Sequence, residues 1–198
     1  MNQSLKKSAI MGILCEVLYF FAVTLFLITK TELALTLWEI MTVIGAIIIL
    51  IVLTVISDTY NLKPIYHRLM LCSLSGTVFI TSIAHFTSIG VVRVLSAKGE
   101  NIPDYFKIGF FPSLEMTLDY TAWGLFMGFA FLLLFLGISD KTLRIFSISC
   151  SMLCFIGFIG SFFFEYLWYP APLGYGFGFL MMCIYILKKA TNSSNDER

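Results

Sequence analysis

Seven ionisable side chains lie within, or at the rim of, stretches that are otherwise apolar: Glu16, Glu39, His85, Arg93, Glu115, Asp119 and Glu165. A charge at the centre of a membrane-crossing helix costs about 2.5–3.5 kcal/mol on the insertion scale, so such groups pair, take a proton or line a wet cavity. These residue types allow three chemistries. His85 with Asp119 can act as a general acid/base pair, or with further acids as metal ligands. Arg93 with Glu115 or Asp119 can hold a charged head group, with Tyr120, Trp123, Tyr166 and Trp168 as flat walls of a ligand pocket. Alternatively, these charges only pair among themselves at the end of a helix, where the dipole favours Glu115 and Asp119.

Spacing narrows the geometry. Glu115, Asp119 and Trp123 succeed one another at i,i+4, so they share a helix face. The opposite face is small, with Thr117, Thr121, Gly124 and Gly128. The Gly124-x-x-x-Gly128 spacing lets another backbone approach closely, and marks a contact face for a neighbouring helix or a partner. On a wheel of about 100° per residue, Ser75, Thr81, Ser82, His85, Ser88 and Arg93 fall in one arc, which predicts a face turned to protein or water. At about 1.5 Å per residue, His85 lies about 12 Å below Arg93, and Asp119 about 6 Å below Glu115. Arg93 is therefore expected to pair with Glu115 or Asp119, with His85 lining a cavity beneath. The expected site lies between the third, fourth and fifth helices.

Other ionisable groups admit simpler readings. Thr36-x-x-Glu39 has the spacing of a capping box, which predicts a helix start there. Glu16 lies about two turns inside the first apolar run, either as a functional buried acid or as a hydrogen-bonding group between helices. Cys150 and Cys154 share a helix face, but small apolar packing accounts for them, and no metal site or cofactor is expected. The five cysteines all lie in apolar runs, so no disulfide framework is predicted.

The elements that must carry these residues are read from hydropathy. The 198 residues are 59% hydrophobic and 13% charged, with mean hydropathy +0.90, beyond the 45–50% or so apolar share of soluble domains. Six apolar runs approach the roughly 20 residues that cross hydrocarbon: about 8–29, 35–57, 69–95, 117–137, 144–168 and 172–188. Lys6-Lys7 ahead of the first run resembles a signal peptide, but no small-x-small pattern comes after it and the run is long enough to span. The fold class expected is an all-α integral membrane protein, a six-helix transmembrane bundle forming one domain over 1–190, with a disordered tail at 191–198. With the N-terminus inside, nine of the 13 Lys and Arg residues fall on the cytoplasmic side. This predicts a multi-pass cell-membrane protein with both termini cytoplasmic. The segment 103–112, rich in aromatics, is either an interfacial anchor or a lid.

Three functions remain open at this level. The first is binding or transport of a small or lipid-like molecule through an outward-facing pocket, with His85, Arg93, Glu115, Asp119, Tyr120, Trp123 and Glu165 as candidate contacts. The second is a membrane-embedded enzyme using His85 and Asp119, although the chain has no Gly-x-Ser-x-Gly and no His-Glu-x-x-His. The third is an accessory or immunity-type subunit that meets its partner through Gly124 and Gly128. Membrane lipid is the expected surrounding; with no Walker motif, dinucleotide fingerprint or basic face, nucleic acid is not an expected partner.

Overall fold

The computed structural model describes residues 3–108 and 110–195. The chain is 87% helical, with no strand among the described residues. Six helices are long and apolar enough to cross a membrane: α1 (Gln3–Thr29), α2 (Glu32–Thr59), α3 (Pro64–Ala97), α4 (Leu114–Gly137), α5 (Lys141–Ser161) and α6 (Tyr166–Thr191). The shortest, α5, has 21 residues, about 32 Å at roughly 1.5 Å per residue, against roughly 30 Å of hydrocarbon.

Most helices begin earlier than the apolar runs because their first turns are polar yet capped. The Thr31 hydroxyl accepts from the Ala34 N–H at 3.3 Å, Ser113 from Met116 at 3.2 Å and Asp140 from Leu143 at 2.9 Å, as side-chain caps do. Pro64 takes the first position of α3, where its missing N–H costs nothing. The expected capping box is corrected: α2 starts at Glu32, the Thr36 hydroxyl donates to the Glu32 carbonyl at 2.9 Å, and Glu39 lies inside the helix and buried. The fifth helix stops at Ser161, short of the expected 168, because Phe162–Phe164 turn the chain and residues 165–169 already lead into α6. Hydropathy runs straight through that turn because its residues are aromatic. At the other terminus helical backbone runs on past the span of α6 to Asn195; of the tail expected to be disordered, residues 191–195 are therefore helical and 196–198 lie outside the described residues.

Each helix packs on its sequence neighbours, and α6 returns to α1, closing a ring of six. The half of the bundle nearer the termini is filled by Leu53, Leu74, Met127, Phe131, Phe179 and Met182, all fully buried. Leu14, Phe21, Phe79, Ile145, Met152 and Ile159 point outward, an apolar exterior that suits lipid and would be a liability in water.

Hydroxyl groups join the helices to one another. Ser73 donates to the Phe126 carbonyl at 2.7 Å, Thr77 to Ala122 at 3.1 Å and Ser151 to Gly128 at 2.9 Å. All three acceptors are on α4. Two of them lie in or at the end of a π turn, Thr121–Phe126. Similar turns occur in α3 (Ser88–Val92) and α6 (Leu173–Gly178). π turns recur at functional sites because the extra residue re-aims the side chains beyond it.

At the end of the bundle that carries the termini, Asp140 accepts from Lys189 Nζ at 2.5 Å and from the Tyr185 hydroxyl at 3.2 Å. Burial works to raise the Asp140 carboxyl, but the Leu143 N–H, Lys189 and Tyr185 outweigh it and hold the group below the usual carboxylate range. Nearby, His67 Nδ1 faces both Ser57 Oγ and, at 3.6 Å, Asp58. Serine and aspartate thus compete for one ring nitrogen, which makes a clasp for the 58–63 turn and not a nucleophilic relay.

Candidate functional site

The opposite end of the bundle, which carries the long connection 98–113, holds the polar side chains. Glu39 comes from the second turn of α2, His85 and Arg93 from α3, and Glu115 and Asp119 from the first two turns of α4. The π turn at Ser88–Val92 sits between His85 and Arg93 and sets the direction in which Arg93 leaves the helix.

Arg93 pairs with Glu39, and its other terminal nitrogen donates to the Thr36 hydroxyl at 2.5 Å. The expected partners of Arg93, Glu115 and Asp119, are therefore replaced by a residue of α2. His85 stands between two acids: Nδ1 is 3.8 Å from Glu39 and Nε2 is 3.3 Å from Asp119. The result is a continuous row, Thr36–Arg93–Glu39–His85–Asp119. Thr36, Arg93 and Asp119 are only partly buried, the side chains of Arg93 and Asp119 at 18% and 21% exposure, whereas Glu39 and His85 between them are closed to solvent.

Glu115 stands apart from this row. It is 3% exposed, neither of its carboxylate oxygens has a hydrogen-bond partner among the described residues, and it lies within electrostatic reach of His85, Asp119 and Arg93. Three carboxylates thus face one guanidinium and one imidazole. Once Arg93 is matched by Glu39 and a protonated His85 by Asp119, Glu115 is the acid without a counter-charge. Low dielectric makes that imbalance costly.

Tyr120 and Trp123 are buried but belong to a second group. The Tyr120 ring lies 4.3 Å from Trp168, and Trp123 lies 4.5 Å from Tyr175, so these two rings of α4 pack on aromatic rings of α6, whereas the pocket expected from the sequence lies between the third, fourth and fifth helices. Tyr166 is exposed and stacks on Phe164 at 5.4 Å. The side chain of Glu165 lies outside the described part of the structure. In the 103–112 segment, Lys107 pairs with Asp104 at 2.8 Å and Phe111 places its ring 6.5 Å from Tyr120, so the segment covers the start of α4. Gly109 lies outside the described residues.

Gly124 and Gly128 face α5 of the same chain. A Cβ at Gly124 would lie 2.6 Å from Phe158 Cβ, and one at Gly128 2.9 Å from the Phe155 ring. Glu16 is buried on α1 and takes part in none of the ion pairs of the row. Among the described residues no group of three or more His, Cys, Asp or Glu side chains is placed to hold a metal ion. Sequence reasoning places Glu39 at the same depth as Arg93 but reads it as a capping residue, so the pairing of Glu39 with Arg93 and its approach to His85 are not expected. Comparison of the chain with protein-family models, curated proteins and solved structures gives no match, which leaves the geometry of this cluster to carry the functional reading.

Proposed function

We propose that the chain is a multi-pass protein of the cell membrane, with both termini cytoplasmic, that binds or transports a small molecule or lipid whose head group is positively charged. The observation that carries this reading is Glu115: buried, without a hydrogen-bond partner at either oxygen among the described residues, and set in a cluster where acids outnumber bases. A cationic group placed beside it supplies the missing counter-charge, and Asp119, the more exposed of the two acids that flank His85, is the side from which such a group would approach. The acid/base enzyme reading needs one ring nitrogen of His85 turned towards substrate. Both nitrogens face carboxylates of the chain, so binding is favoured. The Gly124–Gly128 face is filled by α5, which takes from the accessory-subunit reading the contact it relied on.

The orientation rests on the distribution of Lys and Arg. Single cysteines placed at positions 3 and 194 of a cysteine-free variant are expected to resist a membrane-impermeant thiol reagent in intact cells and to react after permeabilisation. Labelling of either from outside reverses the topology.

Ligand binding is tested by thermal unfolding of the purified chain with choline, ethanolamine or tetramethylammonium as probes. A probe at about 100 times its Kd stabilises the native state by about 2.7 kcal/mol. The expected result is stabilisation of the wild type by at least one of these cations, no response to acetate, and loss of the effect in Glu115→Gln. If none of the cations stabilises the wild type, or Glu115→Gln responds equally, the head-group reading fails.

A further inference from the structure

A furrow of about 450 Å3 runs along the outside of the bundle between α1 and α2, lined on α1 from Lys7 to Leu18 and on α2 by Met41, Ile44 and Ile48. Met41, Ile44 and Ile48 recur at three and four residues, the repeat that keeps side chains on one helix face. Its floor holds Cys15 and Met41, both buried, and its walls Leu14, Leu18 and Ile44, all exposed. Gly45 shares the α2 face with Met41 and Ile48. It is buried, yet nothing lies within 4 Å of a Cβ built on it, an independent sign that space is left on this side of α2. The other wall belongs to α1, the least buried of the six spans.

Length and charge say what fits there. From Lys7 to Leu18 the helix rises about 16 Å at roughly 1.5 Å per residue, against about 15 Å for half of the hydrocarbon core. The furrow therefore reaches from the head-group level, on the side of the termini, to the middle of the membrane. Left empty, its walls forfeit dispersion contacts, and water finds no set of polar partners among methionine, leucine and isoleucine. An alkyl chain meets both conditions. At the mouth stands Lys7, alone among the lining residues in carrying a charge; it is exposed and belongs to none of the ion pairs among the described residues. An ammonium at that level, without an acid of the chain beside it, is complementary to a phosphate.

We propose that the furrow binds one anionic phospholipid from the leaflet on the side of the termini, its phosphate on Lys7 and one acyl chain laid between α1 and α2 as far as Leu18 and Met41. The site begins at the other end of the bundle from the acidic cluster and selects the opposite charge, so it does not depend on what the cluster accepts.

The test is native mass spectrometry of the full chain in mild detergent with equal amounts of dioleoyl phosphatidylglycerol and dioleoyl phosphatidylcholine. The wild type is expected to retain the phosphatidylglycerol about fivefold over the phosphatidylcholine, the scale of one lysine beside an anionic surface. Lys7→Gln is expected to abolish that preference and Lys7→Arg to keep it. Lys6→Gln, which removes an equal charge from a residue outside the furrow, is also expected to keep it. Both lysines are exposed, so these variants leave the packing of the bundle intact. Phosphatidylglycerol with a photoreactive diazirine in its acyl chain locates the tail: label is expected on residues 10–18 and 41–48, and not on outward side chains elsewhere, such as Phe79 and Met152. Equal retention of the two lipids, equal losses in Lys6→Gln and Lys7→Gln, or label spread evenly round the bundle overturns the proposal. Dimers that persist in excess phosphatidylglycerol, with both stretches unlabelled, put a second copy of the chain in the furrow and overturn it as well.

Discussion

Arg93→Met is expected to destabilise the folded chain by about 3–5 kcal/mol, the cost of stranding one member of a buried ion pair. Glu39 is almost completely buried, so removing Arg93 leaves its carboxylate in a low dielectric with His85 as the remaining cationic neighbour. Glu39→Gln in the same background removes the stranded charge. The double variant is therefore expected to be more stable than Arg93→Met alone, with a coupling energy of about 1–3 kcal/mol. Arg93→Lys recovers only part of the loss, because one ammonium cannot reproduce the fork that reaches both Glu39 and Thr36. Denaturant unfolding in mild detergent, followed by tryptophan fluorescence, of the wild type, Arg93→Met, Glu39→Gln, their double variant and Arg93→Lys gives the five stabilities. If the single costs simply add, Glu39 and Arg93 are not an energetic pair and the row is an accident of packing.

Gly157→Ala is expected to cost about 1–3 kcal/mol through overpacking, the second largest effect anticipated. A Cβ there would lie 2.7 Å from each of Ala171 Cβ, Ala171 N and the Trp168 carbonyl oxygen. Two of these are backbone atoms, so relief requires the start of α6 to move as a unit, carrying Trp168 and Tyr175 with it. Gly45 is the control. Nothing lies within 4 Å of a Cβ there, and alanine is worth about 0.5–1 kcal/mol over glycine within a helix, so Gly45→Ala is expected to stabilise. Paired melting curves decide the matter: a Gly157→Ala protein as stable as the wild type shows that α5 and α6 are more loosely joined than this contact implies.

The six helices are legible because each needs a long apolar run, and a run of that length has few other uses. The meeting of α3 with α4 is legible for a similar reason, since both have polar residues to hide. Below that level the reading degrades for identifiable causes. Glu39 has the spacing of a capping residue, and nothing in Thr36-x-x-Glu39 reveals that Thr31 has already capped the helix five residues earlier. Ser75 falls on the predicted inward arc of α3 but is exposed, whereas Ser73 and Thr77 are buried and bonded to α4. A wheel drawn at uniform pitch cannot resolve neighbouring faces of a helix that is hydrophobic on nearly all sides. The π turn after Thr87 then offsets Arg93 from any regular count begun at His85. Gly124 and Gly128 are legible as a close-approach face, but whether the approaching helix belongs to the same chain is decided by topology, about which the glycines are silent.

The hydroxyl bonds to α4 also bear on what holds its irregular turn. A membrane-crossing segment has no water to complete its backbone valences, and an irregular turn survives there only where neighbouring protein completes them. The Thr121–Phe126 turn takes hydroxyls from α3 at Ala122 and Phe126, and Ser151 of α5 reaches the adjoining Gly128 carbonyl. The irregular turn is thus held by the hydroxyls of α3, and the stretch just beyond it by α5. The presentation of Glu115 and Asp119, which stand at the head of that same helix, is written as much in Ser73, Thr77 and Ser151 as in the acids themselves.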